Sequence, residues 1–159
     1  EFGARALGNR SLLADPINPD VVEKINYLIK KRDFWMPFAP AILKEDIQKY
    51  INIPISIKNS SPYMMFGFET VPSQQKNMIA GLHRVDKTAR AQIVDKQRYP
   101  NFHRILCEFK KATGRSVLLN TSFNLHGDPL AMDVDDAFKV MNNSQLKYLF
   151  INNTLVTRR

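Results

Sequence analysis

The sequence is poor in cysteine and has no long apolar run. Cys107 is its single cysteine, which excludes an intrachain disulfide and is typical of proteins from a reducing cytosol. The apolar runs fall far short of the roughly 18 residues that a membrane-spanning helix needs, and the opening residues lack the apolar core of a signal peptide. We therefore expect a cytoplasmic protein.

The common signatures of nucleotide and metal sites are missing as well. The sequence has no GxxxxGK[ST] phosphate loop, no GxGxxG turn and no group of Cys and His with the spacing of a zinc site. No GxSxG elbow surrounds Ser122, which disfavours a serine hydrolase triad built on it. A nucleotide site in this chain must be of a less common type.

The charge balance is strongly basic. The chain has 23 lysines and arginines against 15 acidic residues, a formal net charge of +8. This excess predicts an anionic partner, which could be nucleic acid, a membrane surface or a small phosphorylated substrate. With 159 residues, 44% of them apolar, the chain can bury the core of one domain. Because it opens at Glu1, within what reads as a motif, we expect a domain cut from a longer polypeptide.

Apolar periodicity predicts an α/β or α+β domain. Asn18 and Pro19 are a typical helix start, and Gly114 is a typical helix stop. Helices are predicted over about 19–31, over about 100–113, and from near Asp133 onward. Strands are predicted over 38–43, 63–68, 91–94, 116–119 and 148–151, the last turning at Asn152 and Asn153 into a further strand.

Residues 116–129 carry the clearest chemical pattern. The apolar run 117–119 is continuous, as in a strand that is covered on both faces, and it stops at the polar residues Asn120, Thr121, Ser122 and Asn124. Open α/β sheets bind ligands beyond the carboxyl ends of such strands. A polar surface turn has the same composition, so this segment alone leaves both interpretations with equal weight.

Two groups of cations are candidates for binding phosphate. Arg5 and Arg10 lie in a short loop with glycines, and guanidinium matches phosphate oxygens through two parallel hydrogen bonds. A solvated basic loop is an equally good interpretation. Lys30 and Arg32 follow the first helix, where the helix dipole favours cations in any case. The apolar segment 34–38 beside them favours a site for an aromatic base with phosphates.

Residues 81–94 place further polar groups just before a strand. His83 and Asp86 are three positions apart, but two ligands are weak evidence for a metal, and a hydrogen-bonded loop pair is the better interpretation. Arg90 stands where the loop joins the strand. Such a position orients a side chain, which makes Arg90 the better candidate for a phosphate contact.

Five ordered segments of the chain share their pattern with one known family. They are EFGARALGNRSLLADP, KKRDFWMPFAPAIL, SPYMM, HRVDKTARAQIV and LLNTSFNLHGDP. Together, from Glu1 to about Val156, they resemble the C-terminal domain of the carbamoyltransferases of the NodU and CmcH type. The resemblance implies an open twisted mixed sheet with flanking helices, similar to the YrdC-type fold of threonylcarbamoyl-adenylate synthases. It also implies that residues 1–159 are one domain of a two-domain enzyme whose N-terminal domain is absent.

The resemblance implies an enzyme that uses carbamoyl phosphate and ATP, with Mg²⁺, to carbamoylate a hydroxyl group. Carbamate would attack the α-phosphate of ATP in this domain, and the carbamoyl adenylate would pass to the N-terminal domain of the same polypeptide. The metal ligands of the family lie in that absent part, so we assign no metal site here. Neither nucleic acid nor a membrane is the expected partner.

The functional positions of the family map onto this chain by resemblance. Lys30 and Arg32 match the Lys-x-Arg pair of the YrdC-type site, and with Asn120 and Ser122 they are the candidate catalytic residues. The candidate set for binding nucleotide and carbamoyl phosphate is Arg5, Arg10, Lys30, Arg32, His83, Arg90, Asn120, Ser122 and Asn124.

One departure from the family concerns the nucleotide. Met36 stands where many relatives have an arginine, which removes one phosphate contact. Two rival function classes are therefore kept: a basic nucleic-acid-binding domain with a YrdC-like fold, and a non-catalytic partner module. The aromatic residues cluster in one segment instead of alternating with cations, which disfavours a stacking platform for nucleic acid.

Overall fold

The computed structural model describes residues 7–31, 37–57 and 63–158. Within these residues the chain forms a four-stranded sheet, a separate hairpin and four α-helices. Among these helices, none combines the length and the apolarity needed to cross a bilayer. Short 3₁₀ turns join several elements, at Lys44–Asp46, Ile55–Ile57, Pro72–Asn77 and Ile79–Gly81.

The four-stranded sheet is mixed. Its strands are β1 (Ser11–Ala14), β2 (Ala39–Leu43), β3 (Gln92–Val94) and β4 (Val117–Ser122), in the spatial order β1-β4-β2-β3. Strand β4 runs antiparallel to both β1 and β2, whereas β2 and β3 are parallel. The predicted class, an α/β domain with an open mixed sheet and flanking helices, is confirmed.

The first helix changes its winding before it ends. Helix α1 (Asp20–Ile25) continues without a break as a π-helical turn over Asn26–Lys30. The chain then leaves the helix at Lys31, whose φ of 44° is left-handed. The helix predicted over 19–31 is therefore confirmed in position, but its last turn is wider than an α-helix because its hydrogen bonds span five residues.

Of the other helices within the described residues, two begin at predicted signals and one was not predicted. Helix α2 (Ile47–Tyr50) is a single turn, and α3 (Pro100–Thr113) starts at a proline and stops at Gly114, whose φ is 75°. Helix α4 (Val134–Asn142) is capped by Asp133, whose side chain accepts a hydrogen bond from a backbone N–H of the first turn. Local chemistry thus sets both ends of α3 and the start of α4.

Strand β4 is covered on both faces. On one face Leu118 packs against Phe102 and Leu106 of α3. On the other face Leu119 packs with Phe38 and with the apolar side of α1. This double cover explains why residues 117–119 are continuously apolar instead of alternating.

The C-terminal strands form a hairpin of their own. Strands β5 (Tyr148–Ile151) and β6 (Thr154–Thr157) pair antiparallel, and Asn152 in the turn between them has a φ of 52°. Leu149 of β5 lies in the same buried cluster as Val140 and Met141 of α4. The predicted turn at Asn152 and Asn153 is confirmed.

Two strand assignments differ from the sequence-based prediction. Residues 63–68 were predicted as a strand, but the structure has only an isolated bridge there, between Phe68 and Ala89. Met64 explains the failure, because its φ of 58° interrupts extended backbone. Strand β1 was not predicted, because its four residues are too few to show the alternation of apolar and polar side chains that identifies a strand.

The hydroxyl of Tyr50 should contribute measurably to stability. Tyr50 and Ser116 are fully buried, and the Ser116 backbone N–H donates to Tyr50 Oη over 3.0 Å. Tyr50→Phe leaves that N–H unpaired, so we expect the free energy of unfolding to fall by about 1–3 kcal/mol. Denaturant titration measures it. The matched control is Tyr27→Phe at a side chain that is 83% exposed, and equal losses for both variants would contradict the assignment.

Candidate functional site

The polar turn after β4 is held by its own side chains. Ser122 Oγ donates to Asn124 Oδ1 over 2.7 Å. Asn124 Nδ2 donates to the carbonyl oxygens of Leu125 and Asp128 over 3.0 and 2.7 Å. Because both ends of its amide are engaged, Asn124 has a defined orientation, with its oxygen turned toward Ser122. The segment is an ordered turn rather than a loose surface loop.

Lys30 reaches this turn from the end of the first helix. Its ammonium group donates to Ser122 Oγ over 3.0 Å, to Asn124 Oδ1 over 2.5 Å and to the Asn124 carbonyl oxygen over 3.1 Å. Lys30 is only 3% exposed. These three acceptors are uncharged oxygens. The predicted meeting of Lys30 with Ser122 and Asn124 is present in the structure.

The helix end and the polar turn are joined by their backbones as well. The His126 N–H donates to the Ile29 carbonyl oxygen over 3.0 Å, and His126 Nδ1 lies 2.8 Å from the Lys30 carbonyl oxygen. A carbonyl can only accept, so His126 Nδ1 carries a proton in this contact. His126 was not a candidate for ligand binding in the sequence. Its place in the segment LLNTSFNLHGDP was the available signal.

Asn120 meets a residue that the sequence did not identify as functional. Asn120 Nδ2 donates to Gln92 Oε1 over 2.5 Å, and both side chains are buried. The contact spans strand β2, in which Ala39 pairs with Asn120 and Ala41 pairs with Gln92. The signals for Gln92 were its place in the segment HRVDKTARAQIV and its polarity beside buried apolar residues.

Arg10 approaches the same turn from β1. Its carbonyl oxygen accepts from the Phe123 N–H over 3.0 Å. Its guanidinium Nη1 donates to the Ala131 carbonyl oxygen over 3.1 Å and faces Met132 Sδ at 3.3 Å. Nη2 is buried and has no hydrogen-bond partner among the residues that the structure describes. Nη2 therefore lacks an acceptor within the described part of the chain.

The remaining candidates lie in the loop that leads into β3 or outside the described residues. Arg90 is exposed and stands two positions before Gln92, at the start of β3. His83 lies in the loop before it, where its Nδ1 is 2.9 Å from Asp86 Oδ1. This is the hydrogen-bonded loop pair that the spacing favoured. Arg5, Arg32 and Met36 lie outside the described residues.

One further group of potential metal ligands lies away from the polar turn. Glu45, His103 and Cys107 offer ligand atoms within 4.8 Å of one another. However, His103 Nε2 faces Glu45 at 2.8 Å and Nδ1 faces Cys107 Sγ at 3.5 Å. Because each ring nitrogen addresses a different neighbour, the contacts form a hydrogen-bonded chain rather than a common centre.

Residues 1–158 match the family described as carbamoyltransferase C-terminus. The chain therefore belongs to this family. It is 38% identical over 159 residues to the nodulation protein NolO of Bradyrhizobium diazoefficiens, covering all of this chain and 29% of that protein. It is 30% identical over 158 residues to 3'-hydroxymethylcephem-O-carbamoyltransferase of Streptomyces clavuligerus, covering 99% of this chain and 29% of that enzyme.

Another relative, an uncharacterized protein of Methanocaldococcus jannaschii, is 36% identical over the whole chain, which covers 25% of it. The chain thus spans about a quarter of the length of these curated relatives. Among solved structures, HypF in its phosphate- and nucleotide-bound form has a TM-score of 0.60 at 15% identity, with 89% of this chain and 18% of HypF covered. This likeness shows the fold and supports the YrdC-like expectation.

Asp86 provides a test of the loop that carries His83. Its carboxylate accepts from the Thr88 N–H over 2.9 Å and from the Thr88 hydroxyl over 2.8 Å. These bonds, and the contact with His83, lower the pKa of Asp86 from 3.8 to about 2. A lowered carboxyl pKa stabilises the folded state above the unfolded pKa, and this contribution is lost as pH falls from about 4 to about 2.

We expect Asp86→Asn to flatten this acid dependence. Between pH 4 and pH 2 the free energy of unfolding of the wild type should fall more steeply than that of the variant, because only the wild type must protonate a hydrogen-bonded Asp86. Urea titrations at several pH values measure both slopes. Asp135→Asn, at an exposed position of α4, should keep the wild-type slope. Equal slopes for wild type and Asp86→Asn would contradict the prediction.

Proposed function

We propose that this chain is the part of a carbamoyltransferase that forms carbamoyl adenylate from carbamoyl phosphate and ATP. The observation that carries the proposal is the meeting of buried Lys30 with Ser122 and Asn124 at the carboxyl end of β4. Family membership and the match of these residues to the Lys-x-Arg and Ser/Asn positions of the YrdC-type site support it.

The proposed reaction has two balanced steps. Water first replaces phosphate on the carbamoyl carbon, which yields carbamate, inorganic phosphate and one proton. A carbamate oxygen then attacks the α-phosphorus of ATP, and the bond from that phosphorus to the oxygen bridging to the β-phosphorus breaks. The electron pair leaves with pyrophosphate, so carbamoyl adenylate and pyrophosphate are the products. ATP enters as a substrate with Mg²⁺.

Lys30 is the residue proposed to stabilise the phosphate charge that moves during the second step. A unit cation at 4 Å from a unit anion is worth about 1 kcal/mol in bulk water but about 4 kcal/mol where the effective dielectric constant is near 20. The 3% exposure of Lys30 favours the larger figure. Its present hydrogen bonds to neutral oxygens hold Nζ in place before the ligand binds, and preorganised charge of this kind is effective in catalysis.

The other candidates are proposed to orient the substrates. The hydroxyl of Ser122 and the amides of Asn120 and Asn124 both donate and accept, which suits an adenylate and a small carbonyl-bearing group. Arg10, whose Nη2 lacks an acceptor among the described residues, and Arg90 are proposed to hold phosphates. By resemblance, Arg5 and Arg32 share this role. Phosphoryl transfer depends chiefly on such positioning and charge.

The acceptor step is proposed to occur outside this chain. The relatives are about four times as long as the matched segment, which fits a two-domain enzyme whose N-terminal domain passes the carbamoyl group to a hydroxyl of the acceptor. The substrates of the first step are cytoplasmic metabolites, so we place the enzyme in the cytoplasm.

Pyrophosphate release tests the proposal directly. The chain should release pyrophosphate when ATP and carbamoyl phosphate are both present, but not with ATP alone. Lys30→Met should lower the rate by about 100-fold or more, in line with the loss of one preorganised charge, and Asn120→Ala should also lower it.

The control for this assay is Lys24→Met, which removes an exposed lysine from the last turn of α1 and should keep the wild-type rate. Folding of each variant is checked by its thermal unfolding midpoint. Release with ATP alone, or no release with both substrates, would overturn the proposed function.

A further inference from the structure

Gln92 is buried in a place where an apolar residue would be expected. It is fully buried, and its neighbours Ala91, Ile93 and Val94 in the same segment are buried and apolar. Its Oε1 accepts from Asn120 Nδ2 over 2.5 Å. Its Nε2 has no hydrogen-bond partner within the described part of the chain. A buried amide donor of this kind is unfavourable unless something accepts from it.

The sheet brings Gln92 to the edge where the candidate site lies. Gln92 pairs with Ala41, and Ala39 pairs with Asn120, so the two amides belong to strands on either side of β2. The methyl side chains of the two alanines leave room above β2 for the amides to meet. Ser122 follows Asn120 by two positions and therefore extends from the same face of β4.

The chemistry of this pair differs from that of Lys30. A carboxamide is neutral and offers a donor and an acceptor side by side, so it does not select for an anion. It does match a group that carries a carbonyl and an amino group on one carbon, because two such amides can exchange two hydrogen bonds. Carbamoyl is the smallest group of this type.

We infer that Gln92, held by Asn120, is the residue that distinguishes a carbamoyl group from an acyl group of the same size. Gln92 Nε2 donates to the carbamoyl oxygen, and the second lone pair of Gln92 Oε1 accepts from the carbamoyl amino group. The inference rests on the proposed function. It goes beyond it by naming the residue and the hydrogen bonds that determine substrate choice. Sites that require a hydrogen bond reject analogues lacking it far more strongly than apolar pockets reject a changed methyl group.

The proposed role of Gln92 is tested by comparing the binding of carbamoyl phosphate with that of acetyl phosphate. They share the phosphate and the carbonyl, and they differ in an amino group against a methyl group of similar size. Isothermal titration of the 159-residue chain should give a dissociation constant at least about tenfold lower for carbamoyl phosphate. Gln92→Met should raise that constant about tenfold and change the value for acetyl phosphate by less than about twofold.

Two further variants make the result decisive. Gln92→Glu keeps an acceptor for Asn120 Nδ2 but lacks the donor, so it should also lose the preference for carbamoyl phosphate, even if Gln92→Met unfolds. Gln75→Met removes an amide that donates to Thr70 over 3.0 Å in a different segment, and it should bind both ligands as the wild type does.

Each outcome decides the inference. It is overturned if the wild type binds both phosphates equally, if folded Gln92 variants keep the preference, or if they lose both ligands to the same extent. Those results leave pyrophosphate release, and with it the proposed function, untouched. A wild type that binds neither phosphate overturns the proposed function and this inference with it.

Discussion

The position of the site depends on the hydrogen bonding of β4 along both of its edges. At Asn120 the strand pairs with Leu13 of β1 on one side and with Ala39 of β2 on the other, and helices cover both of its faces. Since this backbone cannot shift without breaking two ladders, the polar residues at its end occupy defined positions. Side chains from other elements, such as Lys30, therefore contact polar groups whose positions are fixed.

The burial of Lys30 is the least favourable feature of this arrangement. Removing an ammonium group from water costs several kcal/mol, even after the protein relaxes. Three neutral oxygens offset part of the cost. The π-helical turn places Lys30 at the end of the helix, and the left-handed Lys31 turns the chain away immediately after it. π-Helical turns inside α-helices are rare and occur frequently at functional sites.

The sequence predicted those parts of the structure that local chemistry controls. The helix between Pro100 and Gly114 was found from its proline, its glycine and its apolar face, and the polar turn after residue 119 was found from the abrupt end of an apolar run. Features set by tertiary contact were missed. Strand β4 extends to Ser122 because β1 pairs with its backbone there, and Met64 prevents a strand through its own φ angle. Neither effect appears in hydrophobic periodicity.

The same distinction explains why the candidate site was predicted only in part. Lys30, Ser122 and Asn124 were candidates within their segments. Gln92 also lies in one of these segments, HRVDKTARAQIV, but it belongs to a strand whose pattern indicates core. Its polarity can be interpreted only from the strand register. Ala41 pairs with Gln92 and Ala39 pairs with Asn120, so the two amides meet over β2. The edge of the sheet then carries two kinds of polar group: cations suited to phosphate and a neutral amide pair suited to a group without charge. A substrate that carries a phosphate and an uncharged polar group needs both kinds of side chain. A cation binds any phosphate, whereas an amide pair discriminates by its paired donor and acceptor.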